Sequence, residues 1–209
     1  MVEQATALRN SYVVHLGGPK RFGEYVWAEA QRRHGDAVPD TQVLGDGAAW
    51  FQIQAALHFG DTHQVVDWYH AKEHLAAAVR LLRPESDPPF PRFSHIYETL
   101  LYQGHARQLA DALEQTASDK PQHKEALKQE AHYFRNNHRR MNYMQLHEDR
   151  WLTGSGMVER GAKQFKHRLT GPGMRWSRQG FNNLLPIRAA VMSQRFDELW
   201  QRARQAPKN

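Results

Sequence analysis

Between residues 11 and 82 short apolar runs alternate with segments of helical spacing, and this alternation restricts the fold more than any other feature. Residues 11–16 (SYVVHL), 42–45 (QVLG) and 63–67 (HQVVD) have strand character, and turn formers such as Gly17-Gly18-Pro19 and Asp46-Gly47 end the first two. Residues 21–33, 48–58 and 69–82 carry their apolar side chains at helical intervals. A β-α-β-α-β-α order with short connections predicts a mostly parallel sheet covered by helices. Such sheets place their C-terminal strand ends on one edge, where α/β folds put their sites.

The remainder reads as helix. Residues 83–93 hold four prolines and mark the clearest boundary, a proline-rich linker. Residues 94–150 predict two or three helices with charged faces. A Gly/Ser turn at 153–156 opens a helix near Met157, and Gly171-Pro172-Gly173 ends it. A last helix is expected from Ser177 or Gln179 to Arg204, kinked or split at Pro186. The segments are therefore a core at 1–82, the linker, a helical insertion at 94–150, and basic C-terminal helices at 151–209.

Charge is unevenly distributed along the chain. The formal net charge is +6, but residues 150–209 hold 12 Lys/Arg against 3 Asp/Glu, +9, so the preceding residues carry −3. A basic C-terminal third suits a polyanionic partner, most simply nucleic acid, or else a solvated helix face. Cysteine is absent, which excludes disulfides, thiolate metal sites and cysteine nucleophiles and fits a reducing cytoplasm. No apolar run approaches the roughly 20 residues that cross a bilayer. The opening MVEQATALRN lacks the basic start and apolar stretch of a signal peptide.

Several carboxylates and histidines stand at positions suited to chemistry. Asp46 and Asp67 each end an expected strand, and on neighbouring strands they would lie roughly 5 Å apart. His70 follows one helical turn later. Each aspartate reads equally as a local helix cap. Glu159 falls in the first turn of its helix, where a carboxylate also complements the macrodipole. His70-x-x-Glu73-His74 matches an inverted zinc-peptidase pattern that needs a third ligand, such as Glu85 or Glu98.

Five segments taken in order, VLGDGAAW, QVVDWYHAKEHL, GSGMVE, RLTGPGMRWS and FDELW, resemble the insertion-sequence transposases of the Kra type, bacterial relatives of the Mutator-like DDE transposases. The resemblance runs from about Ser11 to Trp200. It implies an RNase H-like α/β core with an α-helical insertion before the last catalytic residue. The 113 residues separating Asp46 from Glu159 leave room for that insertion. It also implies two-metal cleavage and rejoining of DNA phosphodiesters, with Asp46 as the second acidic residue and Glu159 as the third. These two are the expected catalytic residues and ligands of Mg²⁺ or Mn²⁺. Asp67 and His70 match the D-x-x-H signature and are expected to support them. Lys163, Lys166, Arg168, Arg175 and Trp176 are the expected contacts to double-stranded DNA at the element ends.

The family's first aspartate lies on a core strand upstream of the equivalent of SYVVHL, and only Asp36 and Asp40 precede Asp46 here. The expectation is thus an incomplete RNase H-like core, the C-terminal portion of a transposase, inactive in catalysis alone and prone to self-association through an unpaired sheet edge. A DNA-binding remnant or transposition inhibitor is the alternative, and a zinc peptidase a further one. A bacterial, nucleoid-associated location in the cytoplasm goes with the first two.

Overall fold

The computed structural model describes residues 9–38, 40–60 and 62–205. The first eight residues, which carry most of the opening segment read above for a leader, lie outside that range. Helices α1 (Pro19–Arg32), α2 (Ala49–Phe59) and α3 (Trp68–Leu82) alternate with strands β1 (Gln42–Gly45) and β2 (His63–Val66). Seven helices follow: α4 (Phe90–Tyr102), α5 (Ala106–Asp119), α6 (Lys124–Asn137), α7 (Tyr143–Glu148), α8 (Gly156–Leu169), α9 (Arg178–Met192) and α10 (Phe196–Gln205). The protein is mainly helical with one short parallel sheet, a coarse α/β arrangement.

Packing divides the described residues into two units, drawn along different lines from the four sequence segments. One contains 40–53 and 62–155, with both strands and α3 to α7. The other contains the chain up to residue 38, residues 54–60 and everything from Gly156 onward, and it is all helical.

In the β-containing unit, β1 and β2 pair in parallel with Gln42 opposite His63 and Gly45 opposite Val66. Val65 and Val66, the second half of β2, are buried, as expected where a strand is covered on its faces. Along α3, the buried residues Ala71, Leu75, Ala78 and Val79 fall on one face at helical spacing. Helices α5 and α6 are joined by a 3₁₀ turn at Pro121–His123 and form a helical hairpin. Its buried seam is built from Ala106, Leu109, Ala110, Leu113, Leu127, Ala131 and Phe134. Alanine at every second or third of these positions permits close helix approach. Lys120 closes the C-terminal end of α3 by donating to the carbonyls of Leu81 and Leu82 at 3.3 and 2.6 Å.

In the all-helical unit, Trp27 of α1 packs edge-on against Phe59 and stacks on His58 of α2. Gly161 of α8 lies under the Tyr12 ring, where a Cβ would stand only 2.5 Å from a ring carbon. Glu29 accepts from both Arg32 and Arg195, linking α1 to the start of α10.

Three expectations are corrected. Residues 11–16 form no strand. In the all-helical unit, residues 12–16 line a cavity together with residues of α1, α9 and α10, and the Tyr12 amide donates to Ser193 Oγ at 2.9 Å. An apolar hexapeptide reads the same whether a strand or a helical groove receives it. The sheet consequently has two strands among the described residues rather than three. The last helical stretch is not split at Pro186, which sits within α9. It is interrupted at 193–195, where Gln194 takes a left-handed conformation with φ 57°. The proline-rich segment is also shorter than expected, because α4 begins at Phe90 with Pro91 in its first turn, where a missing N–H costs no hydrogen bond.

Phe134 is fully buried in the hairpin seam, whereas Leu57 on α2 is 66% exposed. Phe134→Ala should lower stability by about 3–5 kcal/mol through lost burial and a residual cavity. Leu57→Ala should change it by less than about 0.5 kcal/mol. Denaturant unfolding of both variants checks the contrast.

Candidate functional site

The parallel pairing brings the C-terminal ends of β1 and β2 to one edge, and each strand is followed by an aspartate. The Asp67 amide donates to the Gly45 carbonyl at 2.7 Å, extending the ladder to the base of that edge. The two aspartates then diverge in environment.

Asp67 is 1% exposed. Its Oδ1 accepts from the amides of Tyr69 at 2.7 Å and His70 at 3.2 Å, and its Oδ2 accepts from the Ser155 amide. Both oxygens are thus occupied by backbone donors. This is an N-cap that also holds the 151–155 segment against the start of α3.

Asp46 is exposed. One oxygen accepts from the Ala48 amide at 3.0 Å, a local turn contact, and among the described residues the other has no partner. Gly47 makes the bend possible, because its φ of +84° falls where L residues are strained and a Cβ would press on Tyr133 and Asn137 at 3.1–3.2 Å. The Tyr133 hydroxyl donates to the Asp46 carbonyl at 3.2 Å. Burial, reinforced by the Asp46 charge, pushes that hydroxyl well above the ordinary tyrosine range, so Tyr133 remains a neutral donor. Burial draws the Arg140 guanidinium down from its usual value, against the attraction of Tyr133, Tyr143 and Asp46. Asn137 ties this layer together by accepting from Arg140 and from Gln52 and donating to the Tyr133 carbonyl.

His70 lies on the first turn of α3, its Nδ1 3.8 Å from Asp67 Oδ1, and that nitrogen has no hydrogen bond. His74, one turn on, is stacked on Tyr133 at 3.5 Å and bonded to Glu130 at 2.7 Å. Among the other members of the zinc-peptidase pattern, Glu73 is exposed, Glu98 is paired with Lys72 at 2.7 Å and Glu85 with Arg80. No group of three or more His, Asp or Glu side chains placed to hold a metal occurs among the described residues. For a hard cation, Asp46 fits as a single oxygen ligand with a free lone pair. Asp67 does not fit, because a metal would have to displace its backbone donors.

Glu159 belongs to the all-helical unit, exposed in the first turn of α8. Lys163, Lys166 and Arg168 follow on the same helix, and Arg175 lies in the turn after it. All four are exposed, and none pairs with a carboxylate among the described residues. Trp176 is 44% exposed and its indole N–H donates to the Leu169 carbonyl at 2.8 Å, closing the end of α8. Gly161 and Leu169 mark the buried side of α8. Helical periodicity sets Lys163, Lys166, Arg160 and His167 opposite it. Arg160 and His167 were missed in the sequence, although the 3.6-residue period would have found them. Tyr133 and Arg140 were missed for a different reason, since they stand some 90 positions from Asp46 and only tertiary packing joins them.

Compared with protein-family models, curated proteins and solved structures, the chain matches none of them. Among the described residues no helix is long and apolar enough to cross a membrane.

The two aspartates should respond differently to substitution. Asp67→Ala leaves three backbone amides without their acceptor and should cost about 1–3 kcal/mol. Asp46→Ala loses one exposed turn contact and should stay within about 0.5 kcal/mol. Thermal or denaturant unfolding distinguishes a structural carboxylate from a free one.

Proposed function

We propose that this chain acts on DNA as part of a DDE transposase of the Kra type, with β1, β2 and their helices belonging to an RNase H-like core. The observation that carries the reading is the exposed, half-free Asp46 carboxylate at the C-terminal edge of a parallel strand pair. It stands in the segment VLGDGAAW, the position the family resemblance gives to the second catalytic acid. The family resemblance makes Asp46, of the β-containing unit, and Glu159, of the all-helical unit, the carboxylates that would serve as ligands of Mg²⁺ or Mn²⁺. The bound metal supplies charge neutralisation at the phosphodiester and activation of the attacking oxygen. Asp67 serves the site indirectly, fixing the start of α3 and with it the position of His70. Mg²⁺ held by few carboxylates keeps several waters and completes its shell with substrate phosphate, so weak binding is expected without DNA.

DNA binding without catalysis is the second reading. The unpaired basic face of α8 favours it, because exposed lysines and arginines lacking carboxylate partners are free to replace counterions on a phosphate backbone.

Duplex binding measured across a salt series tests the shared part of both readings. The logarithm of the association constant should fall linearly with that of salt, by about 0.9 for each phosphate contact. Lys163→Ala with Lys166→Ala should weaken binding to all sequences alike and flatten the slope by about two contacts. Absence of binding at low salt would refute both. Mn²⁺ titration followed by water relaxation separates them. Binding lost in Asp46→Asn and in Glu159→Gln supports the catalytic lineage, and binding indifferent to both leaves DNA binding alone.

A further inference from the structure

A second site lies in the all-helical unit, away from any residue assigned above. A cavity of about 660 Å³ opens between the chain before α1, the C-terminal end of α1, α8 and the α9–α10 turn. Arg9, Arg32, Arg33 and His34 line it, with Gln164 and Gln194 among the neutral donors, and among the described residues no carboxylate lines it. Its size is that of a small-molecule site.

We propose that this cavity binds the phosphate group of a nucleotide-sized ligand, with Arg33 as the principal contact. Among the described residues Arg33 is held in place by neutral oxygens alone. Its Nη1 donates to Ser11 Oγ at 3.1 Å and its Nη2 to the Arg9 carbonyl at 3.0 Å, so the guanidinium is oriented and its charge uncompensated. The Arg9 side chain has no hydrogen bond among the described residues. Arg32 does have a bonded carboxylate, Glu29, which it shares with Arg195, and it also feels the charge of Glu198. Burial works to raise the Glu29 carboxyl, and its bonds to Arg32 and Ser11 and the Arg195 charge overcome this and hold it below its ordinary value. Glu29 is therefore committed as an anion to two cations and has none to spare for Arg9 or Arg33. Guanidinium, amide and hydroxyl donors without a competing carboxylate form a set that selects a tetrahedral oxyanion.

The backbone gives an independent indication. Three non-glycine residues among those described have positive φ, namely His34, Arg150 and Gln194. Two of the three, His34 and Gln194, border this cavity. Left-handed geometry in non-glycine residues is strained, and such strain concentrates at ligand sites. Cations in the last turn of α1 would complement its macrodipole in any case. That effect accounts for Arg32 and Arg33 but not for Arg9, nor for strained residues on two separate helix ends facing one cavity.

The phosphate could belong to a nucleic acid strand or to a free ligand, and the experiment distinguishes them. Inorganic phosphate is titrated into the intact chain by calorimetry. Saturable binding should weaken about tenfold or more in Arg33→Gln, the loss of one charge-assisted contact. It should be unchanged in Lys163→Ala with Lys166→Ala. Should Arg33→Gln fail to fold, Arg9→Gln, which breaks no side-chain bond, serves in its place and should also weaken binding. Duplex DNA that displaces the phosphate identifies a strand as the source, whereas duplex that binds without displacing it, or does not bind, identifies a free ligand. The last result would also remove the transposase reading while leaving this site standing. No saturable phosphate binding, or equal loss in the lysine variant, would overturn the proposal.

Discussion

The buried carboxylate of Asp67 is the contact on which the β-containing unit depends. A two-stranded parallel sheet has little stability of its own. Here its second strand ends in an aspartate that accepts three backbone hydrogen bonds, two from the first turn of α3 and one from Ser155. The same junction is reinforced by the Trp68 amide donating to the Thr153 carbonyl and by the buried Tyr143 hydroxyl donating to the Val66 carbonyl. Strand end, helix start and returning chain are thereby fixed at one point, each orphan donor or acceptor satisfied.

From that point the packing is dictated by small side chains. Ala71 and Ala78 of α3, with Ala106, Ala110 and Ala131 of the hairpin, leave room for close helix contact around Leu75, Leu113, Leu127 and Phe134. Close approach of α6 in turn carries Tyr133, Asn137 and the following Arg140 to the strand edge. Asp46 thus meets a layer of neutral and cationic hydrogen-bonding groups while keeping one oxygen free. Rigidity below and openness above are the conditions under which a single carboxylate can serve a site.

The all-helical unit solves a different problem. Its segment at 11–16 forms no strand and borders helices instead. His34 and Gln194, both left-handed, border a pocket rich in cations, and the Glu29 carboxylate, bonded to Arg32, lies outside its lining. Charge that on α8 faces solvent is, at the end of α1, gathered and oriented by Ser11 and a backbone carbonyl. The difference is one of preorganisation, since a held guanidinium loses less freedom on binding than a mobile lysine.

Local pattern was enough to locate most elements. Valine-rich β2, the QVLG run of β1, the periodic faces of α3 and α8, and the glycine and proline stops between them are short-range features, and short-range sterics and burial decide them. It also placed Asp46 and Asp67 at strand ends. What it could not decide was which of the two would be free, because both occupy the same local context and both read as caps. That depended on Ser155, 88 residues downstream of Asp67, whose amide occupies the second Asp67 oxygen, whereas Tyr133, 87 residues downstream of Asp46, reaches only its backbone carbonyl. Nor could it decide the fate of residues 11–16 or the end of α9, since an apolar run does not state what will cover it and the helix runs on through Pro186. Sequence determined the elements and their chemistry by local periodicity. Tertiary structure decided which carboxylate is satisfied and which cations stay unpaired, because both depend on donors and acceptors that only long-range packing brings together.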